Sequence, residues 1–113
     1  MSVTIYHNPK CSKSRATLAL LHERGLRPQV IEYLNHPPSV EELKTILAKL
    51  GAKPRELLRP KEAREAGLDD PALSEDAIIA AIAANPIVME RPVVVAGDRA
   101  RLGRPPERVL EIL

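Results

Sequence analysis

The stretch that decides the fold lies near the start of the chain and reads Val3-Thr4-Ile5-Tyr6-His7-Asn8-Pro9-Lys10-Cys11-Ser12-Lys13-Ser14-Arg15. Its first residues alternate in polarity and favour extended backbone, which predicts a short strand over residues 3–6. We interpret residues 7–10 as a loop and predict a helix from about Ser12 to Arg24, ended by Gly25. Cys11 therefore lies between a strand and the N-terminus of a helix.

The position of Cys11 favours a reactive thiol. Free backbone N–H groups and the helix dipole stabilise negative charge at a helix N-terminus, and Lys10, Lys13 and Arg15 add positive charge nearby. Such surroundings lower the pKa of a cysteine from about 8.5 to roughly 3.5–7.5. We therefore predict that Cys11 is largely thiolate at pH 7. The alternative is a buried and inert cysteine, because free Cys is commonly buried.

The residues around Cys11 limit which thiol chemistry is available. Ser14 stands where a Cys-x-x-Cys motif would have its second cysteine, and the chain has only 1 cysteine. A mixed disulfide at Cys11 must therefore be resolved by a thiol from another molecule. Arg15 follows in a Cys-x-x-x-Arg spacing, and Thr17 occupies the sixth position after the cysteine. This pattern argues against a phosphatase-type Cys-x5-Arg loop.

The remaining elements predict an α/β fold. A second strand is predicted at residues 29–33, and a capping box at Ser39 and Glu42 opens a helix that ends at Gly51. Shorter helical segments are predicted over residues 55–59 and 61–66, and a longer helix after Ser74. Strands at residues 91–95 and near 101–102, joined by a turn at residues 97–98, precede a final helix. A right-handed strand–helix–strand start and a closing hairpin predict a four-stranded mixed sheet flanked by helices, with a helical insertion.

Composition sets the broad class of protein. The 113 residues suit one domain over residues 1–113, and apolar residues at 44% with charged residues at 28% are ordinary for a globular protein. The net charge of +2 is too small to indicate nucleic-acid binding. The sequence shows no apolar run long enough for a membrane helix, no signal peptide and no Cys/His set with zinc-ligand spacing. A lone thiol suits a reducing compartment, so we expect a cytoplasmic protein without membrane partners or a bound metal.

The segment from Tyr6 to Arg15 resembles the active-site signature of the ArsC-like arsenate reductases, which have a thioredoxin-like fold. The resemblance continues through three further segments, Leu57-Leu58-Arg59, Glu90-Arg91-Pro92-Val93-Val94-Val95 and Leu102-Gly103-Arg104-Pro105-Pro106-Glu107. It covers nearly the whole chain and is weaker over residues 59–73. It implies an enzyme that reduces arsenate to arsenite, with glutathione as co-substrate and glutaredoxin as partner, and no bound cofactor.

The resemblance also implies a role for individual residues. The family's catalytic cysteine falls on Cys11, and its oxyanion-binding arginines fall on Arg59, Arg91 and Arg104. The signature histidine is His7, which either tunes the thiolate and relays protons or hydrogen-bonds the backbone as a loop residue. Thioredoxin-like folds place a cis proline facing the thiol, and the resemblance assigns this feature to Pro92.

Two other functions are compatible with parts of the pattern. One is a glutathione-dependent thiol oxidoreductase whose substrate is not arsenate, because a motif does not rank substrates. The other is a transcriptional regulator similar to the Spx proteins, which share this fold and sense redox state at an N-terminal thiol. Ser14 in place of a second cysteine disfavours the regulator, and the three family arginines favour the enzyme.

Overall fold

A computed structural model describes residues 2–113 of the chain. The strands are β1 (Val3–His7), β2 (Gln29–Glu32), β3 (Val93–Ala96) and β4 (Arg99–Leu102), and the α-helices are α1 (Ser12–Glu23), α2 (Val40–Leu50), α3 (Pro60–Glu65) and α4 (Glu75–Ala84). Three 3-10 helices span Pro54–Leu57, Pro86–Val88 and Pro106–Ile112. The described residues divide into two compact units, one formed by the chain up to His36 with Arg91–Leu113, the other by Pro37–Glu90. The prediction of a single domain stays a prediction.

The first unit contains a four-stranded mixed sheet with the order β2-β1-β3-β4. Strand β1 pairs in parallel with β2, and β1 with β3 and β3 with β4 pair antiparallel. The connection through α1 gives the parallel pair, and Gly97, with a φ of 63°, makes the turn of the closing hairpin. The predicted mixed sheet flanked by helices is confirmed.

The core of this unit is aliphatic and lies under α1 and the last 3-10 helix. Side chains from the central strands, the middle of α1 and the C-terminal segment pack together, namely Val3, Ile5, Leu21, Val94, Ala96, Val109 and Ile112. This core fixes the position of α1 relative to the sheet, so that its N-terminus lies at the carboxyl end of β1.

The second unit is the predicted helical insertion. Helix α2 begins with the predicted capping box, in which Ser39 and Glu42 exchange hydrogen bonds, and it ends at Gly51, whose φ is 65°. The buried face of α4 carries Ile78, Ile79 and Ile82, as its apolar spacing predicts.

The bounds of most predicted elements shift by one or two residues, and β1 extends to His7, which was predicted to lie in the loop. The third strand begins at Val93 and not at Arg91, because Pro92 has no N–H to donate to a strand partner. The last helix is 3-10 and not α, in a segment that follows Pro105 and opens with Pro106. The short helical segment predicted over residues 55–59 is a 3-10 helix over Pro54–Leu57. No helix among the described residues is long and apolar enough to cross a membrane.

Candidate active site

The loop between β1 and α1 is organised by Asn8, which is only 6% exposed. Its side-chain Oδ1 accepts the N–H of Lys10 at 3.0 Å, an Asx-type turn, and its backbone carbonyl accepts the N–H of Cys11 at 3.0 Å. Arg15 closes the loop from the helix side by donating to the Pro9 carbonyl at 2.9 Å. These bonds place Cys11 at the N-cap of α1.

The half-buried thiol of Cys11 has a pKa below its ordinary value. Burial opposes this shift and is the largest single effect, but three groups together outweigh it: the backbone N–H groups of Ser14 and Lys13, and the guanidinium of Arg91. The Cys11 side chain makes no N-cap hydrogen bond to the first turn of α1. The direction agrees with the predicted thiolate, but the cationic side chain that lowers the pKa is Arg91 and not the predicted Lys10, Lys13 or Arg15.

Ser14 and His7 form a buried pair behind the loop. The Ser14 hydroxyl oxygen lies 2.6 Å from Nδ1 of His7 and accepts the backbone N–H of Asn8 at 3.0 Å. Burial lowers the pKa of His7, Glu32 opposes this shift, and Arg15 adds to it. His7 is therefore a neutral imidazole at pH 7, bonded to Ser14 and located at the end of β1. One of the two roles predicted for His7 is a hydrogen bond to the loop backbone. The hydrogen bond of its Nδ1 is instead with the side chain of Ser14.

Arg91 and Arg104 lie together at the start of β3. Nη1 of Arg104 donates to the backbone carbonyl of Arg91 at 3.0 Å, and the Arg91 guanidinium acts on the Cys11 thiol. The peptide bond between Arg91 and Pro92 is cis, as predicted, and that between Arg104 and Pro105 is also cis. The fold thus brings two of the three predicted arginines to the Cys11 end of the sheet.

Arg59 lies in the second unit, where two carboxylates hold it. Its Nε is 3.1 Å from Glu62 Oε2, and its Nη1 is 3.8 Å from Glu90 Oε1. Its backbone N–H donates to the Val88 carbonyl at 2.8 Å, which fixes its place just before α3. The role of Arg59 as a third oxyanion ligand stays a prediction.

The backbone of Gly103 lies close to the side chains of Pro92 and Thr17 and leaves no room for a Cβ. Its N–H donates to the Pro92 carbonyl at 3.0 Å. A Cβ at this position would lie 2.8 Å from Cγ of Pro92 and would overlap Oγ1 of Thr17. Thr17 is fully buried on α1 and donates to the Lys13 carbonyl at 2.8 Å. Glycine at 103 therefore lets the proline segment pack directly against the helix that carries Cys11.

The sequence interpretation missed Asn8, Gly103 and Tyr33. The Asn-Pro pair at residues 8–9 is typical of a turn, and this signal could have indicated the role of Asn8 in the loop. Nothing local indicates Gly103, which lies against Pro92 and Thr17, or Tyr33, whose position follows from the pairing of β1 with β2. Among residues 2–113, no group of three or more His, Cys, Asp or Glu side chains is arranged to hold a metal ion.

Together these features define a class of protein. A β-α-β start, a closing antiparallel hairpin and a thiol of lowered pKa at the first helix N-terminus are typical of the thioredoxin-like fold. A family model described as the ArsC family matches residues 6–112. The chain belongs to the ArsC family.

Individual relatives resemble the chain along nearly its full length. The arsenate reductase of Neisseria meningitidis serogroup A is 48% identical, over 98% of this chain and 97% of its own. The uncharacterized protein YfgD of Escherichia coli is 54% identical, over 98% of this chain and 96% of its own. A solved structure described as arsenate reductase from Vibrio cholerae has a TM-score of 0.96 at 57% identity, and covers 100% of this chain and 98% of its own.

Proposed function

We propose that this protein is an arsenate reductase in which Cys11 is the sole sulfur nucleophile and external thiols supply the electrons. One observation carries the proposal: the Cys11 thiol lies at the N-terminus of α1 beside Arg91, which Arg104 contacts in turn. The relatives named arsenate reductase in Neisseria meningitidis and Vibrio cholerae support the choice of substrate.

The site chemistry suits a tetrahedral oxyanion. Arsenate carries about two negative charges near neutral pH and would repel a thiolate unless cations offset that charge. Arginine remains protonated and offers donors in a rigid planar fork, which matches the oxygens of such an anion. We assign Arg91 and Arg104 to arsenate binding and to stabilising the charge that develops as sulfur attacks arsenic. Arg59 is the third arginine of this proposed set.

The proposed reaction proceeds in three steps. The Cys11 thiolate attacks arsenic, a sulfur–arsenic bond forms, and one arsenate oxygen takes up protons and leaves as water. A glutathione thiolate then attacks the Cys11 sulfur, so that a disulfide forms and the sulfur–arsenic bond breaks. The electron pair of that bond stays on arsenic, which is reduced from the +5 to the +3 state and leaves as arsenite. A glutaredoxin thiolate attacks the glutathione sulfur and releases the Cys11 thiolate.

The need for an external donor follows from the chain itself. With 1 cysteine, the protein has no internal thiol to displace a group from Cys11. The buried hydroxyl at Ser14, bonded to His7 and to Asn8, occupies the position of a resolving cysteine and has no such chemistry. We therefore propose glutathione and glutaredoxin, rather than an internal disulfide relay, as the route for electrons.

A single-turnover experiment tests this route. With arsenate and glutathione but no glutaredoxin, each chain should release one arsenite and then stop, with one glutathione on Cys11 by mass spectrometry. Adding glutaredoxin should restore continuous turnover, whereas thioredoxin alone should not. Continuous turnover without glutaredoxin, or arsenite release with Cys11 unmodified, would show that the donor scheme is wrong.

A further inference from the structure

Tyr33 carries a buried hydroxyl that the proposed reaction does not use. The side chain is 0% exposed, and its hydroxyl oxygen has no hydrogen-bond partner. Buried polar groups in folded proteins are nearly always hydrogen-bonded, because an unmet bond destabilises the folded chain. A phenylalanine would fill the same space without this penalty, so the hydroxyl calls for an explanation.

The strand register places this hydroxyl at the active site. Residues His7 and Glu32 are partners in the parallel pairing of β1 and β2, and Asn8 and Tyr33 directly follow them. Both residues therefore follow the carboxyl ends of these strands, which is the end of the sheet where the Cys11 loop lies. The Asn8 amide and the Arg91 guanidinium face the phenol, yet neither makes a hydrogen bond of standard geometry to it.

The electrostatics keep the phenol protonated. Burial raises the pKa of Tyr33 and is the main effect, and it exceeds the opposite influence of Arg91 and Asn8. At neutral pH the group is thus an uncharged hydroxyl with its oxygen lone pairs available as acceptors. The Arg91 guanidinium carries several N–H donors, and it faces both Cys11 and Tyr33.

We propose that Tyr33 is a positioning residue for Arg91, whose guanidinium turns from the Cys11 sulfur to a bound oxyanion while the Tyr33 hydroxyl accepts one of its N–H groups. This inference rests on the proposed function, because it requires an oxyanion at Arg91. The Tyr33 hydroxyl has no hydrogen-bond partner in the structure, and the proposal gives it one in the Arg91 guanidinium. This bond stabilises the orientation in which the guanidinium holds the oxyanion.

The test compares the native chain with Tyr33→Phe, which removes only the hydroxyl. Cys11 is alkylated with iodoacetamide at increasing arsenate, and the arsenate concentration that halves the rate reports oxyanion binding without any turnover. We expect this concentration to rise about five- to tenfold in Tyr33→Phe, the equivalent of one lost hydrogen bond. The same change should appear in the KM for arsenate.

Two further measurements separate positioning from a structural role. Without arsenate, the pH profile of Cys11 alkylation should be the same in both proteins, because the hydroxyl makes no hydrogen bond in the structure. The free energy of unfolding of Tyr33→Phe should equal or exceed that of the native chain. Equal arsenate protection, or a clear loss of stability, overturns the inference alone. Failure of arsenate to protect the native chain contradicts the proposed function and this inference with it.

Discussion

Replacement of Gly103 by alanine tests the packing that holds the proline segment against α1. The new Cβ would lie 2.8 Å from Cγ of Pro92 and overlap Oγ1 of Thr17, both of which are buried. Overpacking a close-fitted interior costs about 1–3 kcal/mol, because the neighbours must move from their preferred positions. For a chain of this size, that corresponds to a fall in Tm of roughly 4–12 °C. Thermal unfolding followed by circular dichroism measures it.

A double-mutant cycle provides the control for this prediction. Thr17→Ala removes Oγ1 and Cγ2, two of the three atoms nearest the added methyl group, and leaves the contact with Pro92. Gly103→Ala should therefore destabilise the Thr17→Ala protein less than it destabilises the native chain, with a coupling energy of about 0.5–3 kcal/mol. A Tm for Gly103→Ala equal to the native value, or no coupling to Thr17, would refute the close-packing argument.

Three other predictions address the thiol, its buried support and the arginines. The rate of Cys11 alkylation by iodoacetamide should rise with pH and reach its plateau at a lower pH than for an ordinary thiol, because the pKa of Cys11 is lowered in the folded chain. A midpoint of this titration at or above about pH 8.5 would contradict the prediction. Ser14→Ala leaves the Asn8 N–H and His7 Nδ1 without their partner and should cost about 1–3 kcal/mol in urea unfolding, whereas the exposed control Ser12→Ala should stay within about 0.5 kcal/mol. Arg91→Lys and Arg104→Lys keep the charge but lose the planar fork, so the rate of arsenate reduction should fall strongly. The rate of Cys11 alkylation at a pH well above the thiol pKa should stay near the native value. The control Arg99→Lys, at an exposed position, should reduce arsenate at the native rate. If these two variants and Arg59→Lys all reduce arsenate like the native chain, the oxyanion-site assignment is wrong.

The sequence carried much of the fold because its elements are marked locally. Ser39, Glu42 and Gly51 bound α2 with side-chain and backbone signals that need no tertiary contact, and the structure has each of them in that role. The strand, loop and helix around Cys11 are equally predictable from the sequence, because the apolar residues of β1 mark the start of this segment and Gly25 marks its end. The final segment was harder, because apolar spacing does not separate a 3-10 helix from an α-helix over seven residues.

The candidate site is harder to predict from the sequence, because strand pairing brings together residues that are distant in the chain. Local charge suggests Lys10, Lys13 and Arg15 as the cations near Cys11, whereas the cationic side chain that lowers its pKa is Arg91, which is distant in sequence. The position of Arg91 depends on the antiparallel pairing of β1 with β3, which places the residues before Val93 beside the end of β1. Tyr33 reaches the same edge through the parallel pairing of β1 with β2. Register, and not local pattern, determines these neighbours.

The most direct test of the central claim is arsenite production by the native chain and by Cys11→Ser, with glutathione and glutaredoxin present. Serine keeps the size of the side chain and is a favourable N-cap residue, so the loop and α1 should be retained. The account predicts arsenite from the native chain and, from Cys11→Ser, only the background seen without protein. Arsenite production by Cys11→Ser at the native rate, or none from the native chain, would contradict it.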